Sequence, residues 1–237
     1  MKQIYLIIFL GLRIVSFGQN KASKLDDSST SIIKKDSISQ YSNKSNLECS
    51  IYNFNNAKER ADTLIKYFKL SNDKDVDKQI CDIKIFCSFP NSFKEMQELF
   101  GFDDSKGAAP LYDSTGENII KYFRQLTTIP KDKFYDKYIN ICIEGIWQAD
   151  LIGEAFGIYD KLINDTEAVG SRLKIRTDKE IISVIRFIFD GPHPDNKFNK
   201  DLYNKILPKI EKYDKRLSKL LTESYIQIIK EVHCEGH

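Results

Sequence analysis

The chain has 237 residues, with 36 Lys and Arg against 34 Asp and Glu and a formal charge of +2. Residues 1–18 hold Lys2 and Arg13 and no acid, so removing them leaves a neutral chain in which Lys, Asp and Glu are interspersed. That balance excludes the basic footprint of a nucleic-acid-binding protein and polybasic adhesion to a membrane surface.

The N-terminal stretch "MKQIYLIIFLGLRIVSFGQN" reads as a secretory signal peptide: a basic start at Lys2, a short apolar core, and small residues at Ser16 and Gly18 before a cut at Gln19. The apolar run is too short to span a bilayer. Arg13 would fall inside any longer version, at about 2.5–3.5 kcal/mol at the membrane centre. No cysteine lies near the cut to take a lipid. The expected organisation is a signal peptide at 1–18, a disordered Ser/Lys/Asp-rich tether at 19–47, and one domain at 48–237. The mature protein then acts in the periplasm or outside the cell, with no membrane span after cleavage. The tether is too poor in apolar residues to offset the entropy of ordering, whereas about 190 residues suffice for a full core.

Helices are predicted along this domain. Ala57, Ala61, Leu64, Ile65 and Phe68 form an amphipathic stripe. Residues 76–89 are ambiguous, because Val76, Ile80, Ile83 and Cys87 fit a helix while Ile83, Ile85 and Cys87 also alternate. Helix is favoured, since a lone strand would have no partner. Three capping boxes, Ser92 with Glu95, Ser114 with Glu117 and Thr177 with Glu180, precede apolar stripes. Between them, one helix is expected through Phe134, Tyr138, Ile141 and Cys142 and another through Leu151, Ala155, Ile158 and Leu162, split near Gly145 to Gln148. Past residue 196 run long stripes that Pro208 should kink or divide. The fold class is therefore all-α, an irregular antiparallel array of about eight or nine helices, either a bundle or a short solenoid-like stack. No fixed repeat period stands out.

The five cysteines, Cys49, Cys81, Cys87, Cys142 and Cys234, contain no CxxC pair, so zinc-ribbon and thioredoxin-like chemistry has no support. Their odd number leaves at least one unpaired within the chain. One bridge tying down the domain start through Cys49 is expected in an oxidising compartment; Cys81, Cys87 and Cys142 alternatively serve as small core hydrophobes.

Candidate chemistry is thin, and no cofactor is implied. The motif "FDGPHPDN" could bring Asp190 and His193 together as an acid–base pair, with Glu154 as a third member of an envelope hydrolase site. It also reads as a helix ending, with two prolines barring continuation and Asp195 or Asn196 capping the next helix. Glu154 interrupts an apolar line near Trp147, with Glu144 and Asp150 close in sequence. The tail "HCEGH" places His233 and His237 four apart around Cys234, a weak metal set at a fraying terminus. No GxSxG, HExxH, Walker or dinucleotide motif is present. The long irregular stretch 101–118 offers Phe102, Leu111 and Tyr112 as packing or partner contacts, with Trp147 as a further binding candidate. The functional expectation is thus an exported, non-catalytic module that binds a protein partner, in its sharper form an immunity or inhibitor protein of the bacterial envelope.

Overall fold

The computed structural model describes residues 47, 49, 52–145, 156–189 and 193–235, with side chains up to Glu231. The expected signal peptide and nearly all of the expected tether lie outside these residues. Leu47, the tether's last residue, is half-buried and packs on the core.

The described residues form ten helices and one two-stranded ribbon, the all-α array expected from the periodicity. The helices are α1 (Ala57–Leu70), α2 (Lys78–Ser88), α3 (Phe93–Phe100), α4 (Ser114–Arg124), α5 (Lys131–Cys142), α6 (Ile158–Asn164), α7 (Thr166–Lys174), α8 (Asp178–Phe189), α9 (Lys197–Tyr213) and α10 (Lys215–Glu235). The strands β1 (Phe102–Asp103) and β2 (Gly107–Ala108) sit between α3 and α4. Helices α1 to α4 pack among themselves, as do α6 to α10. Helix α5 joins the groups by touching α3 on one side and α7 and α8 on the other.

Local signals account for most helix starts. Asn56 accepts the Glu59 N–H at 2.9 Å and Asp77 accepts the Gln79 N–H at 2.8 Å. Thr177 and Glu180 form a complete capping box: the Thr177 N–H meets the Glu180 carboxylate at 2.9 Å, and the Glu180 N–H meets the Thr177 hydroxyl at 3.3 Å. The second expected box is shifted by one residue. Asp113, not Ser114, caps α4 by accepting the Gly116 N–H at 3.0 Å, while Glu117 pairs with Lys121 one turn on.

Residues 78–88 are helical, and their two-fold alternation has a simple cause. Ile80, Ile83, Ile85, Phe86 and Cys87 are all buried, so α2 is enclosed on most sides and shows no clean stripe. Pro208 does not divide the chain; α9 runs through it, and the break falls at Asp214. The carbonyl that loses its donor belongs to Asn204, which is exposed and open to water. A further break at Asp165 separates α6 from α7 and raises the helix number above expectation. There the Asp165 carboxylate accepts from the Tyr135 hydroxyl at 2.6 Å and from Lys131 at 2.7 Å. Both partners lie on α5, out of reach of any local pattern.

The core of the first group centres on rings. Phe89 and Phe123 stack with centroids 3.8 Å apart, and Phe86, Phe134, Tyr138 and Phe156 pack around Phe123 at 5.4–6.5 Å. The Tyr138 hydroxyl donates to the Phe156 carbonyl, which satisfies the one polar atom of a fully buried ring. Cys49 and Cys87 form a disulfide that ties the segment before α1 to the end of α2. Cys81 and Cys142 are buried thiols, each pushed up by burial, Cys81 to about 11. Both are therefore inert packing groups at neutral pH.

The bridge closes a loop of 38 residues in sequence separation, and its loss should lower stability by about 2–4 kcal/mol. Urea unfolding of the oxidised chain against Cys49→Ser measures this. Equal midpoints would show that the two sulfurs are not joined.

Candidate binding surface

Of the expected contact residues, Phe102, Leu111 and Tyr112 come together, and the ribbon between α3 and α4 explains how. Phe102 pairs with Ala108 and Asp103 with Gly107 in antiparallel register. The turn is held from within: the Asp103 carboxylate accepts from the Ser105 N–H at 2.9 Å, the Ser105 hydroxyl at 2.5 Å and the Lys106 N–H at 3.0 Å. These bonds, the Ser105 hydroxyl first, hold the Asp103 carboxyl below its ordinary range. Gly107 follows with φ +82°, a conformation that side-chain-bearing residues rarely take.

The base of the ribbon is pinned by the Ala109 N–H to the Gly101 carbonyl and the Leu111 N–H to the Leu99 carbonyl, both at 2.9 Å. Leu111 then drops into the core, 1% exposed. Its carbonyl abuts Gly116 in the first turn of α4, where a Cβ would sit 1.8 Å from that oxygen. Only glycine lets the helix approach the ribbon this closely. Leu111 is therefore an anchor beneath the surface. Phe102 is the opposite case, 50% exposed, with its ring 5.6 Å from that of half-buried Tyr112. Beside the pair runs a groove of about 570 Å³, lined among others by Ala57, Lys94, Gln97, Phe102, Lys106 and Pro110.

The other sequence candidates do not assemble among the described residues. His193 is exposed, and its carbonyl accepts the Asn196 N–H at 3.1 Å. Around it the helix-ending reading of "FDGPHPDN" holds where it can be seen. Asn196 caps α9 by accepting the Asn199 N–H at 2.8 Å, and the Asn199 amide donates to the carbonyls of Phe189 and Pro194 at 2.9 and 3.1 Å. Asp190, Glu154, Asp150 and Trp147 lie outside the described residues, as do His237 and the side chains of His233 and Cys234. Glu144 is described; it is exposed, has φ +59° and donates its N–H to the Ser183 hydroxyl at 2.7 Å. Among the described residues no three His, Cys, Asp or Glu side chains gather as a metal site would need, and no helix is long and apolar enough to cross a membrane.

Three polar residues that sequence reasoning passed over, Asp82 and Lys137 buried and Asp136 half-buried, join helices through polar contacts. Asp82, 2% exposed on α2, accepts from the Tyr122 hydroxyl at 2.6 Å and the Thr128 hydroxyl at 2.9 Å. Burial, with this bond to Asp82, pushes the Tyr122 hydroxyl up to about 12. Asp136 takes Arg172 in a two-pronged pair at 3.0 and 2.7 Å and Arg176 at 2.9 Å, which fastens α5 to the end of α7. Lys137, 7% exposed, donates to the Phe89 carbonyl at 2.8 Å and lies over the Phe86 ring. The available signal was a charged residue inside an apolar run, "ICDIKIF" and "KFYDKYINIC".

The contrast between anchor and tip is measurable. Leu111→Ala should cost about 2–5 kcal/mol of stability through the cavity it leaves. Phe102→Ala should change it by no more than about 0.5 kcal/mol. Chemical denaturation of the two variants decides, and a large loss for Phe102→Ala would place that ring in the core.

Comparison of the chain with protein-family models, with curated proteins and with solved structures yields no match.

Proposed function

We propose that this protein is an exported, all-helical, non-catalytic module that binds a protein partner in the bacterial envelope, as an immunity or inhibitor protein does. The observation that carries the reading is the Phe102 tip. A large aromatic side chain stands half in solvent on a ribbon that its own turn bonds, its buried Leu111 root and the close approach of Gly116 hold rigid. Rigid aromatic side chains lose little entropy on docking and dominate the energetics of many interfaces. Asp103 and Asp104 flank the ring at the turn, with Lys106 the lysine in the same loop. The surface that complements it is an apolar hollow with a cationic rim.

The disulfide supports the exported part of this reading. The Cys49–Cys87 disulfide is a bond that persists in oxidising compartments, and it agrees with the signal-like N-terminus. N-terminal sequencing of the protein recovered from the cell envelope or medium should begin at Gln19.

The decisive experiment is a cross-linked envelope pull-down with the native protein and with a Phe102→Ala, Tyr112→Ala double variant of unchanged stability. One partner recovered with the native protein and lost with the variant is the expected outcome. No stable partner, or equal recovery with both baits, would overturn the proposal.

A further inference from the structure

Lys137 occupies an unusual place. It projects from α5, the helix that joins the two groups, into the junction of α1, α2 and α3, and is 7% exposed. An ammonium has three N–H donors to satisfy. The hydrogen bond at this site is to the Phe89 carbonyl, just past the C-terminal end of α2, at 2.8 Å. The Phe86 ring, 4.8 Å away, offers its face.

The carboxylate acting on it, Glu95 on α3, is already committed. It accepts from Arg60 of α1 at 2.6 Å and from the Asn91 N–H at 2.8 Å. Arg60, itself lying over the Phe54 ring, is a second cation facing the same carboxylate. On the far side of α5, Arg172 and Arg176 of and just beyond α7 are held on Asp136. The junction therefore holds two basic side chains and one carboxylate; water is kept from Lys137, while Glu95 is 32% exposed.

We propose that Lys137 is the pH-sensitive joint of this fold: buried as a neutral amine at the meeting of α1, α2, α3 and α5, it loosens that junction when it takes up a proton. A charged group without enough partners in a dry site costs several kcal/mol unless it neutralises or reaches water. Neutral, the amine still donates to Phe89 and rests on Phe86. Charged, it can gain water only by drawing α5 out of the junction.

Burial, and next the Arg60 guanidinium, bring the amine down from its usual range to about 7, against the pull of Glu95. In the unfolded chain the same amine titrates near 10.4. Between those two values the unfolded chain holds a proton that the folded chain lacks, so stability rises with pH across this window. Below about 7 both states are protonated and the added stability is gone. An exported protein would meet this dependence directly, because its surroundings set the pH.

The test is urea unfolding of the full chain and of Lys137→Met between pH 6 and pH 9.5. Relative to Lys137→Met, the folding equilibrium of the native chain should climb by up to tenfold per pH unit above neutrality; the raised Cys81 and Cys142 thiols, which oppose the climb above about pH 8.5, are the same in both chains. The gap between the two chains should widen across that range; parallel pH dependence would overturn the proposal. Should Lys137→Met fail to fold, Arg60→Gln and Glu95→Gln serve instead. Removing the like charge should move the onset of the climb to higher pH, and removing the carboxylate should move it lower. An onset unmoved in both would equally overturn it.

Discussion

Helix α5 is the constraint on which the rest of this structure depends. Tyr138, Ile141 and Cys142 are fully buried on it, and Phe134 nearly so. Phe134 and Tyr138 pack within 5.6 Å of Phe123 on α4, while Asp136 grips Arg172 and Arg176 on the opposite side. One short helix thus lies within a single continuous core, between its two groups of helices. The union is partly dispersion between flat rings on one side and partly charge-assisted hydrogen bonds on the other.

The polar residues of α5 follow from that position. A helix wedged between two groups turns its first residues, Lys131 to Lys133, to solvent, leaves Asp136 half-buried and buries Lys137. Asp136 finds two guanidinium groups and becomes a fastening. Lys137 finds a carbonyl and a ring, with a carboxylate already shared. Asp82 on α2 meets the same demand with two hydroxyl donors. Buried polar groups of this kind bind few solutions of the packing problem, which favours one arrangement of the helices over its near relatives.

The proposed binding tip is built on different terms. It lies where the chain leaves α3 and enters α4, outside the stacked rings, and its shape is set by local hydrogen bonds and two glycines. Rigidity there does not come from burial of the ring that is presented. It comes from Leu111, nine residues further on, which occupies the core and leaves Phe102 free to face outward.

What the amino-acid sequence by itself determined is the helical class and most of its punctuation. The stripes of α1, α5 and α8, the cap at Thr177, and the caps at Ser92 and Asn196 all arise within a few residues of each position, where periodicity and hydrogen-bond chemistry act. What only the tertiary structure decided is partnership across tens of residues. Cys87 rather than Cys81 receives Cys49; Leu111 sinks while Phe102 stands out; Asp165 breaks a helix because Tyr135 and Lys131 claim its carboxylate. Pro208, conversely, is carried through because its orphaned carbonyl faces water. The candidate site was legible as a loop with aromatic residues and illegible as an anchor and a tip. Burial is a property of what surrounds a side chain in space, and adjacency along the chain does not contain it.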